Sequence, residues 1–485
     1  MSITSAMYNA LSGLTAASRG IEVVSSNVAN ARTPGYARRE LSLSGQVLAG
    51  AGSGVQVSGV RRVVDQGVLA DLRLADSAVA ADDTRLAFQN RIGGLIGMPG
   101  ESGSLSDRIA VMQATLVEAS NRPDSSARLT AVAAAAEEVA ERLKATSDDI
   151  QAARMEADHD IAAAVTRLNA DLAHVRDLNV AIRGLSTSGR DYAGLVDQRQ
   201  TLIDGIATLV PVRELPREDG MVALVSTGGA ILLDSSAATV RFDPVGIITP
   251  DMSIGSGALS GLTLNDQPVS VTGGTGPLGG GRLGALFDLR DGMAVEAQTM
   301  VDAMARDLYE RFADPALDAT LNAGEPGLFT DGGGGFVATD EVGLAGRLQV
   351  NAAVDPGQGG AVWRLRDGLQ ATAPGDVGDG SLLTGMADAL NAARSPASGP
   401  FGATARSAGG LAGEASALWS GTTLSLEKSM AYANSRAETL RNLHLQDGVD
   451  TDHEMQELLS LEQAYGANAR VVSTIDDMIQ TLLGL

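Results

Sequence analysis

The sequence predicts a mainly α protein with a β subdomain, an elongated multidomain chain built around a long helical-bundle rod. Heptad repeats of apolar residues lie near both ends, at 7–31 and 458–482. A helical pattern of about 60 residues runs from 125 to 185, long enough for a rod. Between 212 and 282 the pattern changes to short alternating segments separated by Gly and Ser, which is typical of antiparallel strands.

Composition limits the class of protein. The chain has 485 residues, so several domains are expected. It is 44% hydrophobic but only 3% aromatic, so aliphatic residues must form its cores. A formal net charge of −23 argues against binding to nucleic acid or to anionic membranes. The chain contains no Cys, which excludes disulfides and thiolate metal sites.

The first predicted element is a helix whose apolar stripe has heptad spacing. Its core positions are Met7, Ala10, Leu14, Ala17, Ile21, Val24, Val28 and Ala31. The segment SSNVANARTPGYARRE follows at 25–40. Pro34 forces the residue before it into an extended conformation, and Gly35 permits a turn, so the helix must end by about residue 32.

The last predicted helix carries the same repeat. Its core positions are Leu458, Leu461, Tyr465, Asn468, Val472, Ile475, Ile479 and Leu482. Asp450 or Thr451 is placed to cap it. Neither helix can bury its stripe alone, so we expect the two to pair as a coiled coil that forms a terminal domain from 1–45 and 446–485, or to pack on neighbouring subunits. The alternative is two ordinary surface helices on separate cores.

The remaining assignments fill the chain between these helices. We expect a helical rod domain from 46–211 and 283–445, and a β subdomain at 212–282. Helices are predicted at 283–312 and from about residue 404 to 445.

Residues 313–380 are rich in Gly, Asp and Pro, which predicts a small β or loop insertion within the rod domain. Two pieces of it look strand-like, GRLQV at 346–350 and AVWRLRDG at 361–368.

The sequence contains only weak matches to known catalytic and ligand-binding motifs. HEMQE at 453–457 begins like a zinc-protease helix, but Glu457 stands where the second His is needed. GTGPLG at 274–279 has dinucleotide-loop spacing without the surrounding βαβ repeat. DGGGG at 331–335 occurs once, and a calcium-binding repeat needs several copies. We therefore expect an interaction or structural protein with no catalytic residues, metal or cofactor.

The segment at 25–40 resembles a motif of the bacterial flagellar axial proteins, which include rod, hook and junction subunits. The resemblance is carried by Ser25, Asn27, Ala29, Asn30, Thr33, Pro34, Gly35, Tyr36 and Arg38. The motif is common to these subunits, so it indicates the superfamily alone.

The C-terminal segment is similar to the hook-associated protein 1 family, the hook–filament junction members of that superfamily. The matching residues are Gly448, Val449, Glu454, Leu458, Gln463, Ala464, Tyr465, Ala467, Asn468, Ala469, Ser473 and Met478. Segments 195–212 and 280–291 look like parts of the helical domain of that family. His453, Glu462 and Gly466 depart from its pattern, and 313–380 is short for its outer domain, which we expect to be reduced here.

The resemblance implies a structural subunit at the junction of hook and filament that polymerises on the hook tip and is needed for filament assembly and motility. It implies terminal helices that line the inner tube, with the heptad residues named above, the three alanines excepted, as assembly interface. Implied partners are copies of the chain, the hook protein, hook-associated protein 3, an export chaperone and the flagellar type III export apparatus, with neither nucleic acid nor membrane.

The first 20 residues lack the basic start and unbroken apolar stretch of a secretory signal, so we expect secretion to the extracellular flagellum without a cleaved signal. Two alternatives stay open. One is another axial subunit, of the rod or hook, although hook subunits are mainly β outside their termini and the helix at 125–185 favours the junction. The other is a secreted enzyme with coiled-coil ends and a site in 313–380.

Overall fold

The computed structural model describes residues 3–48, 51–271 and 276–483. It confirms a mainly α fold with small antiparallel sheets. The described helices are α1 (Ile3–Asn30), α2 (Gln66–Ile96), α3 (Leu105–Asn121), α4 (Ser126–Thr187), α5 (Ala193–Leu209), α6 (Gly281–Asp288), α7 (Ala294–Phe312), α8 (Leu344–Arg347), α9 (Arg364–Asp367), α10 (Ser381–Asn391), α11 (Ala408–Gln446) and α12 (Thr451–Leu483).

The strands form hairpins and three-stranded meanders, all antiparallel. They are β1 (Arg39–Leu48), β2 (Ala51–Arg62), β3 (Val212–Pro216), β4 (Val222–Ser226), β5 (Ile231–Leu233), β6 (Val240–Arg241), β7 (Leu262–Leu264), β8 (Gln267–Val269), β9 (Phe329–Asp331) and β10 (Leu348–Val350). The described sheets have the orders β1-β2, β3-β4-β5, β6-β7-β8 and β10-β9.

The rod is organised around α4, which has 62 residues and would be about 90 Å long. Its N-terminus is capped by Ser125, whose side chain accepts from the Arg128 N–H. Side chains such as Val132, Ile150 and Leu168 are fully buried and recur on one face of the helix. Against that face pack α3, α5 and α7, so that one continuous core runs along the rod.

A buried ion pair fixes the turn between α6 and α7. A π-helical turn at Leu289–Met293 brings the Arg290 guanidinium to 2.5 Å from the Asp158 carboxylate, and both side chains are 0% exposed. Arg154 donates to the Arg290 carbonyl at 3.0 Å. Because a buried charge needs a partner, these contacts hold α4 and the π turn in one arrangement.

The terminal helices agree with the sequence in type and ends. Helix α1 ends at Asn30, before Pro34. Asp450 caps α12, because its side chain accepts from the Asp452 and His453 N–H groups at 3.0 and 3.3 Å. The two helices pack on each other, which excludes two helices on separate cores.

Two parts of the sequence-based reading are wrong in detail. The segment 361–368 forms the one-turn helix α9 and not a strand, because its apolar Leu365 turns into the core while Arg366 and Asp367 pair at 2.6 Å. The hairpin β1–β2 was not expected within the helical part that starts at residue 46. Its strands carry many polar side chains, and they are stabilised by packing on α1.

Candidate assembly interface

The terminal pair is antiparallel, and small residues set its spacing. A Cβ atom added to Gly13 would lie 2.7 Å from the Asn468 amide nitrogen, and one added to Gly20 would lie 2.9 Å from Leu461. From Gly13 to Gly20, seven residues forward in α1, the contact moves from Asn468 to Leu461, seven residues back in α12. The two helices therefore run in opposite directions. Glycines at these positions let the two backbones approach closely, and the larger α12 side chains fill the space above them.

The predicted heptad residues lie at different depths in this pair. Val24 and Ile475 are buried, at 5% and 6% exposure. Those half-buried are Met7, Leu14, Ile21, Val28, Leu458, Leu461, Asn468, Val472 and Ile479. Tyr465 and Leu482 are exposed, at 45% and 60%. Their role as an assembly interface stays a prediction.

Asn27 is the residue on which the end of α1, the start of β1 and the start of α12 converge. Its amide nitrogen donates to the Arg39 carbonyl and to Glu454 Oε2, each at 2.9 Å. Its amide oxygen accepts from the Tyr36 hydroxyl at 2.8 Å and from the Arg39 N–H at 3.0 Å. The side chain is 1% exposed, and all of its hydrogen-bonding capacity is used.

Glu454 brings a charge into this buried position, and Arg38 balances it. Arg38 Nε donates to Glu454 Oε1 at 2.9 Å, while the Glu454 side chain is only 3% exposed. Glu40 also pairs with Arg38, at 3.2 Å. A buried carboxylate with a cation and an amide as partners is stable there, whereas a bare one would not be. We call Asn27, Tyr36, Arg38, Arg39 and Glu454 the terminal latch.

Asp197 on α5 fastens the latch to the rod. Its carboxylate accepts from the Ala37 N–H at 3.3 Å and from Arg39 and Arg62, each at 2.8 Å. Gly35 makes the turn that brings the chain to α5. Its φ of 77° lies in the left-handed region, and a Cβ atom there would collide with Thr201 Oγ1.

The other motif residues act locally. Asn30 donates to the Ser26 carbonyl at 2.9 Å and accepts from the Thr33 hydroxyl at 3.3 Å, which closes the last turn of α1. Pro34 is exposed and ends the helix. Burial raises the pKa of the Tyr36 phenol, which keeps its hydroxyl a donor to the latch.

Sequence reasoning missed Asp197, Arg62 and the pairing of Asn27 with Glu454. Asp197 lies in the segment 195–212. The resemblance of that segment to the family's helical domain indicates no role for this residue. No periodicity marks a single carboxylate as a partner for arginines far away in the chain.

The weak motifs show no grouped ligands. His453 is exposed at the start of α12. Residues 274 and 275 of the GTGPLG motif lie outside the described residues. Asp331 and Gly334 of the DGGGG segment form a tight turn through two backbone hydrogen bonds of 3.0 Å. Within the described ranges, no three His, Cys, Asp or Glu side chains are grouped to hold a metal ion, and no helix is long and apolar enough to cross a membrane.

Comparison with known proteins fits this architecture. Residues 90–327 match the helical domain of flagellar hook-associated protein FlgK. Residues 7–36 match the flagella basal body rod protein model, and 446–485 match the C-terminal model of flagellar basal body rod FlgEFG proteins. Flagellar hook-associated protein 1 of Bacillus subtilis is 23% identical over 500 residues, covering 97% of this chain and 96% of that protein. Over nearly its whole length the chain is therefore similar to flagellar hook-associated protein 1.

Other relatives of the hook-associated protein 1 family align over part of their length. The Salmonella typhimurium protein is 29% identical over 245 residues, which are 49% of this chain and 44% of that protein. The structure of the flagellar hook junction protein FlgK from Burkholderia pseudomallei aligns at 19% identity and a TM-score of 0.43, over 54% of this chain and 47% of that one. These similarities identify the chain as a structural component of the bacterial flagellum.

Proposed function

We propose that this chain is the subunit that joins hook to filament, that it polymerises on the hook tip, and that it acts without catalysis. The observation that carries the proposal is the terminal pair, which is held to the rod by the latch and yet is largely uncovered. Of the 33 residues of α12, only Glu454 and Ile475 are buried. A helix that packs on one partner and leaves its outer side uncovered along its length needs neighbours.

The uncovered surface of the pair is apolar. Large exposed side chains on α12 include Met455, Leu459 and Met478, at 47%, 55% and 50%. On α1, Tyr8 and Leu11 are 63% and 52% exposed. Apolar groups placed together at the surface mark interaction sites. We infer that copies of the chain cover them when terminal pairs stand side by side around a tube.

We also propose a role for each segment of the chain. Terminal segments 1–45 and 446–485 form the tube wall, and 46–211 with 283–445 form the rod outside it. Segments 212–282 and 313–380 then serve as the β subdomain and a reduced outer domain. The hook protein and hook-associated protein 3 are the proposed neighbours along the axis.

We propose that the chain reaches this position unfolded, with an export chaperone, through the flagellar type III apparatus, and is thus secreted to the extracellular flagellum. The absence of Cys is compatible with such a route, because no disulfide can form before export.

A deletion strain examined by electron microscopy tests the function. We expect hooks without filaments, restored by the wild-type chain. Cells that lack hooks as well would instead identify a rod or hook subunit, and cells with normal filaments would refute the proposal.

Two matched charge substitutions on α12 test the role of the pair. Leu461→Asp places a carboxylate above Gly20, within the pair, whereas Gln463→Asp places it on the exposed side. Burying an unpaired charge costs several kcal/mol. We expect Gln463→Asp to restore filaments in the deletion strain and Leu461→Asp to fail; equal restoration would contradict an assembly role for the pair.

A further inference from the structure

A deep cleft lies beside the terminal pair, between α1, the hairpin β1–β2 and the junction of α4 with α5. Its volume is about 990 Å³. The wall on the α1 side includes Arg19, Glu22 and Ser26, and the opposite wall runs from Ser186 to Val196. The cleft therefore opens on the same flank of the molecule as the surface that we propose to be covered by neighbours.

The charge of the cleft is opposite to that of the chain. Its lining contains six arginines, namely Arg19, Arg39, Arg61, Arg62, Arg190 and Arg199. Two carboxylates line it, Glu22 and Asp191, and three more pair with its arginines, namely Asp197, Glu40 and Glu214, which leaves a formal excess of one positive charge. The whole chain carries −23. A concave site lined by one sign of charge focuses its field and attracts groups of the other sign.

The partners of these arginines leave positive charge available. Arg39 and Arg62 share the single carboxylate of Asp197, each at 2.8 Å. Arg61 is 70% exposed and pairs with Glu40, so its charge is balanced but accessible. Among the described residues Arg190 has no ion pair, and its Nε donates to the Ser188 hydroxyl at 3.2 Å.

The described residues of α12 are strongly acidic on their exposed surface. This helix has a single arginine, Arg470, and its exposed carboxylates are Asp452, Glu457, Glu462, Asp476 and Asp477. In its own chain α12 lies against the other side of α1 and uses only Glu454 in an ion pair. Glu457 lines a pocket between α12, α1 and the hairpin of its own chain, and the other exposed carboxylates can face a neighbouring molecule.

We propose that the cleft receives the acidic side of α12 from a second copy of the chain. This inference rests on the proposed function and specifies which surfaces meet when the subunits polymerise. Charge complementarity supplies the attraction, and the position of the cleft next to α1 makes the contact continuous with the terminal pair. Such a contact is weakened by salt, because exposed charges are screened within about 8–10 Å at physiological ionic strength.

Site-specific crosslinking tests the contact directly. The chain has no Cys, so Ser58→Cys, in the exposed lining of the cleft, gives a single attachment point for a maleimide–benzophenone probe. Irradiation of assembled flagella should give a product of twice 49.6 kDa in which the crosslinked peptide lies within 451–483. Ser425→Cys, exposed on α11 and outside the cleft, is the control. Crosslinks to the hook protein, or to another segment of the second copy, would overturn the proposal.

Charge reversal gives an independent test in cells. Arg61→Glu with Arg190→Glu inverts the cleft without removing a buried ion pair, so folding and export of the variant should be normal. We expect roughly a tenfold or greater loss of filaments. The control is Arg176→Glu with Arg241→Glu, two exposed arginines outside the cleft, which should build filaments like the wild type.

Compensation separates this inference from the proposed function. Adding Glu462→Arg and Asp476→Arg, which lie on one exposed side of α12, to the inverted cleft should restore filaments at least in part. If the inverted cleft alone builds filaments normally, the inference is wrong while the junction role stands. If the wild-type chain itself does not restore filaments to a deletion strain, the proposed function fails first.

Discussion

Replacement of Asn27 by Ala should release α12 from the latch while the rod stays folded. The change leaves three groups without their partner, namely Glu454 Oε2 and the N–H and carbonyl of Arg39, while the Tyr36 hydroxyl keeps the Ser26 hydroxyl at 3.3 Å. Each buried group left unpaired costs about 1–3 kcal/mol, and water entering the space recovers part of this. We therefore expect a loss of roughly 3–5 kcal/mol, confined to the contact of α12 with α1 and β1.

Hydrogen exchange read by mass spectrometry measures this loss in the purified protein. A change of 1.4 kcal/mol is a factor of ten, so amides at 451–458 should exchange roughly 100-fold or more faster in the variant. Amides of α4 should exchange as in the wild type, because the latch contacts α5 and the terminal helices and not the core of the rod.

Asn30→Ala is the matched control. It removes the same side chain one turn further along α1, where the amide contacts only Ser26 and Thr33. We expect no change at 451–458 in that variant. If Asn27→Ala and Asn30→Ala give the same exchange there, the latch does not hold α12 and the reasoning is refuted.

Two further predictions concern the spacing of the terminal pair and the pH dependence of the rod. Ala is a better helix former than Gly by about 1 kcal/mol, so Gly466→Ala, whose Cβ would meet open space, should stabilise α12, whereas Gly20→Ala should destabilise the pair because its Cβ meets Leu461. Thermal unfolding followed by circular dichroism should show the opposite signs, and two shifts of the same sign would contradict the close approach at Gly20. Burial raises the pKa of Asp302 to about 6. The N–H groups of Ala345 and Gly343, which donate to this carboxylate, lower the pKa by less than burial raises it. Its native state therefore gains stability by protonation that is complete below about pH 4 and is lost as the pH rises through about 6. Denaturant unfolding should show the advantage of wild type over Asp302→Asn shrinking by roughly 2 kcal/mol between pH 4 and 7, and an advantage that grows with pH would mean that the hydrogen bonds outweigh burial.

The sequence predicted those parts of the fold that local physics determines. Pro34 ends a helix wherever it stands, and the spacing of apolar residues along α4 requires one continuous buried face. The pairing of α1 with α12 followed from two stripes that neither helix could cover alone. These features depend on residues a few positions apart, which is the range over which periodicity is informative.

The contacts that determine the register could not be found in this way. A heptad assignment selects apolar residues, so it leaves out Gly13 and Gly20, although they form the contact face. Asn27 and Glu454 bond across 427 positions, and neither is apolar. The partners of Asp197 come from the turn at Gly35 and from β1–β2, a hairpin that was not anticipated.

The latch can form only when the chain is nearly complete, because it joins Asn27 and Arg38 near the N-terminus to Glu454 near the C-terminus. Domains fold in order as a chain emerges, its N-terminal end first. Asn27 and Arg38 therefore exist for most of that time without Glu454, and α1 has no helix to lie against until nearly the whole chain has appeared. A chain broken off in the rod has no Glu454, so the Asn27 amide and the Arg38 guanidinium lack this partner. Such a fragment also lacks α12, so the contacts of Asn27 and Arg38 that hold the terminal pair in the complete chain cannot form.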